Sequence, residues 1–128
     1  SKFVAEFIGT SNFIDGTVAS RDGDEHVVET RDGRLRLESG AHVPPTTEVV
    51  VSIRPEAVML TTERPVNAPN VWEGIVTTRA FLGDAVDHVV AVGKRDIRAR
   101  CLPHISHAPG TTVYMQMDPG KLALVPVD

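Results

Sequence analysis

The chain states one pattern twice. Asn12-Phe13-Ile14-Asp15-Gly16-Thr17-Val18 reads Asn, apolar, apolar, acid, Gly, any residue, Val, and Asn70-Val71-Trp72-Glu73-Gly74-Ile75-Val76 repeats it 58 positions later. A second pair follows in the same order. Val49, Val51, Ile53, Pro55, Val58 and Leu60 recur as Val113, Met115, Met117, Pro119, Leu122 and Leu124, now 64 positions apart. The approach matches too, since Pro45-Thr46-Thr47 aligns with Pro109-Gly110-Thr111. An internal repeat constrains a fold more than local propensity does, because one unit often cannot close its own core and must bury it on a neighbour. The growing offset places about six extra residues between the two blocks of the second half. A duplicated small β unit is more often a binding or regulatory device than an enzyme.

The 128 residues make one domain, or two small halves that share a core. No apolar run approaches the roughly 18 residues of a membrane span, and no charged-then-apolar leader marks secretion. The chain opens on Ser1 rather than Met, which predicts that it is processed or cut from something longer. Net charge is −4, which opposes a nucleic-acid partner, because phosphate contacts need a basic stripe. Cys101 is the single cysteine and cannot close an internal disulfide.

Phe3, Val4, Phe7 and Ile8 share one face of a helix, and Gly9 is placed to end it. From Asn12 onward the pattern is short β. Strands are predicted over 12–19, 26–30, 35–38, 48–54 and 57–61, then 72–81, 85–92, 97–101, 112–117 and 122–125. Turn signals separate them: Asp22-Gly23, Asp32-Gly33, Leu82-Gly83-Asp84 and Gly93-Lys94. Many short strands at this spacing predict a small barrel or sandwich. Arg64-Pro65-Val66-Asn67-Ala68-Pro69 joins the halves, and its prolines forbid a helix there.

Chemistry is sparse. The phosphate-cradling G-x-x-x-x-G-K-[ST] is absent, as are G-x-G-x-x-G and G-x-S-x-G. Cys101, His104 and His107 fall within seven residues, with His26, His42 and His88 as further imidazoles. Three ligands without closure fall short of a tetrahedral site, so no metal is assigned. Arg54-Pro55-Glu56 reads either as a proline-fixed turn with a solvated ion pair or as an interaction corner. Ser11, Asn12 and Gly16 form the candidate ligand site, since a hydroxyl and backbone amides can hold an oxyanion; local turn chemistry, with side chains bonding their own backbone, is the competing account. Arg31-Asp32 and Arg95-Asp96 read as solvated loops. The six aromatics, Phe3, Phe7, Phe13, Trp72, Phe81 and Tyr114, read mostly as packing; a single-strand platform wants basic residues beside them, whereas the Arg residues here are scattered among acids.

Phe3-Val4-Ala5-Glu6-Phe7-Ile8-Gly9-Thr10-Ser11-Asn12 with Phe13 to Val18 resembles the passage in ABC importer ATP-binding subunits where the nucleotide-binding domain ends and the C-terminal regulatory domain begins. Ser52-Ile53-Arg54-Pro55-Glu56 is similar to a strand–turn–strand of that domain, and Phe81-Leu82-Gly83-Asp84 to another of its segments, with Phe81 for the usual Tyr. Met117-Asp118-Pro119 and Leu122 to Pro126 resemble its closing strand. The subfamily looks like the spermidine/putrescine, ferric-iron and thiamine type.

The resemblance implies an all-β, OB-like transport-associated (TOBE) domain, a small barrel or sandwich made of two intertwined repeats, preceded by one short helix. Residues 1–10 would end a linker helix from a missing ATPase domain, and 11–128 would be the regulatory domain, with half-repeats of about 11–63 and 70–128. It implies a parent that uses ATP and Mg²⁺ to drive uptake of a small solute, a polyamine or ferric iron, while this piece is not an enzyme and holds no cofactor. Implied partners are the chain's own ATPase domain, a second copy of the subunit and membrane permease subunits, with no nucleic acid. The implied location is cytoplasmic, peripheral to the inner membrane. Interface or regulatory roles fall on Phe3, Phe7, Arg54, Pro55, Glu56, Phe81 and Gly83. The alternative is a small-ligand or oxyanion sensor. Molybdate-binding relatives carry Ser-Ala-Arg-Asn where this chain has Gly9-Thr10-Ser11-Asn12; without the Arg, that function is not carried over.

Overall fold

The computed structural model describes residues 11–38, 40 and 42–127. The helix predicted over residues 3–8, its Gly9 stop, and with them Phe3 and Phe7, lie outside the described residues.

The described residues form ten strands in two five-stranded antiparallel sheets. They are β1 (Asn12–Asp22), β2 (Glu25–Thr30), β3 (Gly33–Glu38), β4 (Glu48–Ile53), β5 (Val58–Thr61), β6 (Val71–Phe81), β7 (Val86–Val92), β8 (Arg95–Cys101), β9 (Thr112–Met117) and β10 (Ala123–Pro126). Each predicted strand is present, with its ends unmoved or shifted by up to three residues. The predicted Asp22-Gly23 and Gly93-Lys94 turns close two hairpins, and Gly23 and Gly93 both sit at positive φ (62° and 59°), where Gly carries no Cβ penalty.

The sheet orders are β10-β4-β1-β2-β3 and β5-β9-β6-β7-β8. Each half of the chain therefore builds four strands of one sheet and lends its fifth to the other. Val58 to Thr61 pairs with Met117 to Tyr114, and Ala123 to Pro126 pairs with Ser52 to Val49. The lent strands sit at edges that would otherwise expose the backbone of β4 and β9. In the second sheet β5 also lies against β8, so that sheet curls toward closure.

One apolar cluster lies between the sheets. Ile14, Val28, Leu35, Leu37 and Val51 come from the first, and Trp72, Val90, Ile97, Val113 and Met115 from the second. The alternation of buried and half-buried residues along β4, β7 and β9 puts one face of each strand into this core. The duplicated glycines allow close strand approach. A Cβ on Gly16 would lie 2.5 Å from Val28 Cγ1 and 2.8 Å from the Glu29 carbonyl, and one on Gly74 would lie 2.6 Å from Val90 Cγ1 and 2.7 Å from the Ala91 carbonyl. Two residues beyond each, the pairing slips by one residue, after Val18 and after Val76.

The register locates the extra residues of the second half. Val18 pairs with Val28 and Val76 with Val90, so four additions lie in the β6–β7 hairpin; two more lie in the loop after β8.

Candidate functional site

The duplicated polar residues sit on the seam between the sheets. Asn12 opens β1 and is buried. Its Nδ2 donates to the carbonyls of Ile53 (3.3 Å) and Arg98 (2.9 Å), while its Oδ1 accepts from Arg98 N–H (2.8 Å). Asn70 repeats the arrangement immediately before β6. Its Nδ2 donates to Arg36 O (2.6 Å) and Met117 O (2.9 Å), and its Oδ1 accepts from Arg36 N–H (2.7 Å). Each Asn thus clamps the strand beside it to β8 or β3 of the opposite sheet. This corrects the sequence expectation of local turn chemistry at Asn12, because the partners stand 41 and 86 positions away. An amide side chain is suited to the task, offering donors and an acceptor from one plane to a backbone N–H and C=O.

Ser11 is buried beside Asn12. Together with Phe13, Val89, Asp96 and Arg98 these residues line an open cleft of about 500 Å³. Gly16 lies four residues along β1, against Val28 and Glu29, and lines a different cleft with Thr17, Glu29 and Arg31. The structure brings Ser11 and Asn12 together and leaves Gly16 apart from them.

The sequence reading missed a second duplicated pair. His26 on β2 and His88 on β7 are fully buried. His26 Nε2 accepts from Val43 N–H (2.9 Å), and His88 Nε2 accepts from His107 N–H (3.0 Å), so each imidazole pins the long loop that follows β3 or β8. An Nε2 that accepts carries no proton, which fixes the neutral ring with its proton on Nδ1. Burial depresses the basicity of both rings. The nearby Arg21 and His42 add to this at His26, and His107 adds to it at His88. The signal in the sequence was Arg21 and His26 recurring as Arg79 and His88 on facing strands, visible only once the hairpin lengths are known.

A third feature breaks the symmetry. Asp32, in the β2–β3 turn, pairs with Arg95 at the start of β8 at 2.8 Å, and both side chains are 10% exposed. Arg95 also reaches the carbonyl of Phe13. Asp32 and Arg95 are therefore not solvated loop residues, as their sequence neighbours suggested; the two hairpin turns meet across the sheets.

The remaining candidates lie toward the surface. Arg54-Pro55-Glu56 enters a short 3-10 turn over Pro55–Ala57, with Pro55 buried and Arg54 and Glu56 exposed. The matching turn over Pro119–Lys121 is capped by Asp118, whose carboxylate accepts from Gly120 N–H at 2.8 Å. Phe81 ends β6 with 67% exposure, and Arg79 stacks over its ring. Gly83 follows at positive φ (86°) in the turn. Cys101 is buried at the end of β8, and burial pushes its thiol up. His104 is exposed and His107 half-buried in the loop beyond. Among the described residues, no three His, Cys, Asp or Glu side chains gather closely enough to hold a metal. Asp87, hydrogen-bonded by Arg100 (2.7 and 3.1 Å), is held below the usual carboxylate range, first by that bond. No helix among the described residues is long and apolar enough to cross a membrane.

Comparison with known proteins agrees with this architecture. The chain is 28% identical over 119 residues to the spermidine/putrescine import ATP-binding protein PotA of Pseudomonas aeruginosa (strain UCBPP-PA14), covering 91% of this chain and 32% of that protein. It is 36% identical over 92 residues to the putrescine transport ATP-binding protein PotG of Escherichia coli (strain K12), covering 70% and 24%. It is 33% identical over 125 residues to the PotA of Acidothermus cellulolyticus, covering 97% and 29%. The chain thus spans about a quarter to a third of the length of these relatives. Among solved structures, the cytoplasmic molybdate-binding protein ModG shares the fold, with a TM-score of 0.80 over 91% of this chain and 96% of its own, at 18% identity. The family model for the TOBE domain matches residues 51–125, more than half of the sequence, and the chain belongs to that family.

Proposed function

We propose that this chain is the non-catalytic regulatory and dimerisation module of an importer's ATP-binding subunit. ATP and Mg²⁺ are handled elsewhere in the parent chain, which drives uptake of a small solute through membrane permease subunits at the cytoplasmic face. The polyamine relatives point to a polyamine as that solute. The observation that carries the reading is how the duplicated polar residues are used. Asn12, Asn70, His26 and His88 bond backbone across the sheets or to the long loops. A body tied this way is suited to holding two subunits in register while their nucleotide-binding faces open and close. Arg54, Glu56 and Phe81 are exposed and can meet a second copy. Sedimentation of the full subunit with and without residues 11–128 tests this. Loss of self-association on deletion supports it, and unchanged self-association removes it; the isolated chain should turn over no ATP.

A small oxyanion held at Ser11 and Asn12 is the second reading, supported by the cleft they share with Arg98. Gly16, assigned to the same site from sequence, does not line that cleft. Calorimetry with molybdate, sulfate and phosphate tests it, and an absence of heat for all three ends it.

A further inference from the structure

The loops that follow β3 and β8 are built on one plan, and the first copy is strained where the second is not. Thr46 N–H donates to Val18 O (2.8 Å), and Val18 N–H returns a bond to Thr47 O (2.9 Å). Gly110 and Thr111 make the same two bonds with Val76, at 2.7 and 2.9 Å. Both loops turn through a left-handed residue, Gly110 at φ 92° and Thr46 at φ 69°. Glycine adopts that conformation without penalty, whereas a β-branched residue there is an outlier. Besides Val18, the first loop is held by two imidazoles. His26 Nε2 accepts from Val43 N–H, and the Val43 side chain packs against the core. Arg21 donates to His42 Nδ1 (3.0 Å). A proton on either nitrogen removes the acceptor. In the second loop the counterpart of His42 is Ser106, whose hydroxyl accepts from Arg79 at 3.0 Å and does not titrate. The second loop thus shares one titratable anchor with the first, His88, and lacks both the other anchor and the strain.

The surroundings of the two buried rings are alike, so the difference lies in the loops. His26 meets Arg21 from β1 and His42 from its loop, and β3 places Leu37 opposite it. His88 meets Arg79 from β6 and His107 from its loop, and β8 places Ala99 opposite it. The carboxylates next along each strand are engaged, Glu25 with Arg36 and Asp87 with Arg100. Nδ1 of each buried ring has no partner among the described residues, so neither ring has a second bond to hold it once Nε2 is protonated. We infer that residues 42–47 form an acid-released strap: protonation of His26 breaks its bond to Val43, strain at Thr46 favours the open form, and the first loop lets go while the second stays closed. Release uncovers Val43 and frees the backbone groups of Val18, where the pairing of β1 with β2 slips. In the open strap His26 titrates near its ordinary value of 6.5, and burial lowers that value in the closed one. The open fraction is therefore constant above about pH 6.5 and rises by up to about tenfold per pH unit below it. The inference rests on the chain's own geometry and not on any role of a parent.

Amide hydrogen exchange of the chain, corrected for intrinsic rates, reads the open form while it is still a minority and both sheets are intact. Protection at Val18, Val43 and Thr46 should lie below that of central-strand amides such as Val51 and Met115. Between about pH 6.5 and 5.5 it should fall further, by up to about tenfold. The matching amides of the second half, Val76, His107 and Gly110, should stay with the central strands. His26→Gln still offers an oxygen to Val43 N–H but does not titrate, and should remove the pH dependence at the first three amides. Thr46→Gly relieves the strain, and should raise their protection about fivefold at every pH while leaving the pH dependence in place. The two variants act on separate halves of the device, so a folding defect in one leaves the other as a test. Equal protection in the two loops at every pH would overturn the inference, as would first-loop protection that falls only in step with Val51 and Met115. So would a pH dependence that survives His26→Gln, or no gain from Thr46→Gly.

Discussion

Acidification should loosen the fold through two imidazoles. His26 and His88 are fully buried, and each accepts a loop N–H through Nε2. Protonation turns that acceptor into a donor facing another donor. At His26 it also adds a cation near Arg21 and His42; at His88, near His107 and Arg79. The folded-state pKa of each ring lies below 6.5, chiefly through burial. The unfolded chain therefore holds protons near pH 6.5 that the folded chain does not. Stability is full above about pH 6.5 and falls as pH drops from there toward the folded-state values. Each ring contributes at most about 1.4 kcal/mol per pH unit in that window, so the pair sets a ceiling of about 2.7 kcal/mol per unit. Asp87 acts in a separate window. Its pKa is lowered from 3.8, so its contribution is present above that value and is lost only below it. Urea denaturation at a series of pH values from about 7.5 to 5.5 measures the slope. His26→Gln and His88→Gln offer an amide oxygen to the same N–H groups but do not titrate. Each should remove about half of the slope, and the double variant should flatten it. A double variant that keeps the wild-type slope would refute the reasoning.

Other perturbations follow from the seam and the strand crossings. Asn12→Ala or Asn70→Ala removes a buried bond to Ile53 O or Met117 O together with two part-buried bonds to Arg98 or Arg36, and should cost about 1–3 kcal/mol in urea denaturation, with Asn→Asp failing to rescue because it cannot donate. Gly16→Ala and Gly74→Ala force a methyl into contacts of 2.5 to 2.8 Å with side chain and backbone, and should each destabilise by about 1–3 kcal/mol. Gly83→Ala meets nothing within 4 Å, so calorimetry should show only the smaller backbone strain of a positive φ, about 1 kcal/mol. Asp32→Ala strands Arg95 and should cost about 3 kcal/mol, whereas Asp32→Ala with Arg95→Met should recover much of it. Equal melting midpoints for the single and double variants would count against a buried pair.

The strands were legible because most are short and half-buried, and the turns at Asp22-Gly23, Asp32-Gly33 and Gly93-Lys94 mark where several of them end. The duplicated Asn-to-Val pattern marked β1 and β6 as equivalent before any pairing was known. The partners of β5 and β10 were not legible. Val58 to Leu60 alternates the same way whichever sheet it joins, since period 2 records a buried face and not a neighbour. Asn12 was singled out for the wrong bonds, because an Asn beside a turn has the same sequence appearance whether its amide serves its own loop or a strand 86 positions away. Asp32 and Arg95 looked like surface charge since each stands beside another charged residue; only the meeting of two hairpin turns buries them. Phe81 and Leu82 were read through resemblance, and their exposure follows from one added strand pair that no local pattern announces.

The order in which a ribosome delivers the chain gives the lent strands a further meaning. The first sheet is finished by Ala123 to Pro126, which pair with Ser52 to Val49 about seventy residues earlier. Until β10 emerges, β4 offers a bare edge made of Val49, Val50 and Val51, a sequence prone to pair with any neighbouring strand. Closure of the first sheet therefore waits on a strand made long after the other four, and a ribosome that stops before it releases a sticky product rather than a slightly shorter one.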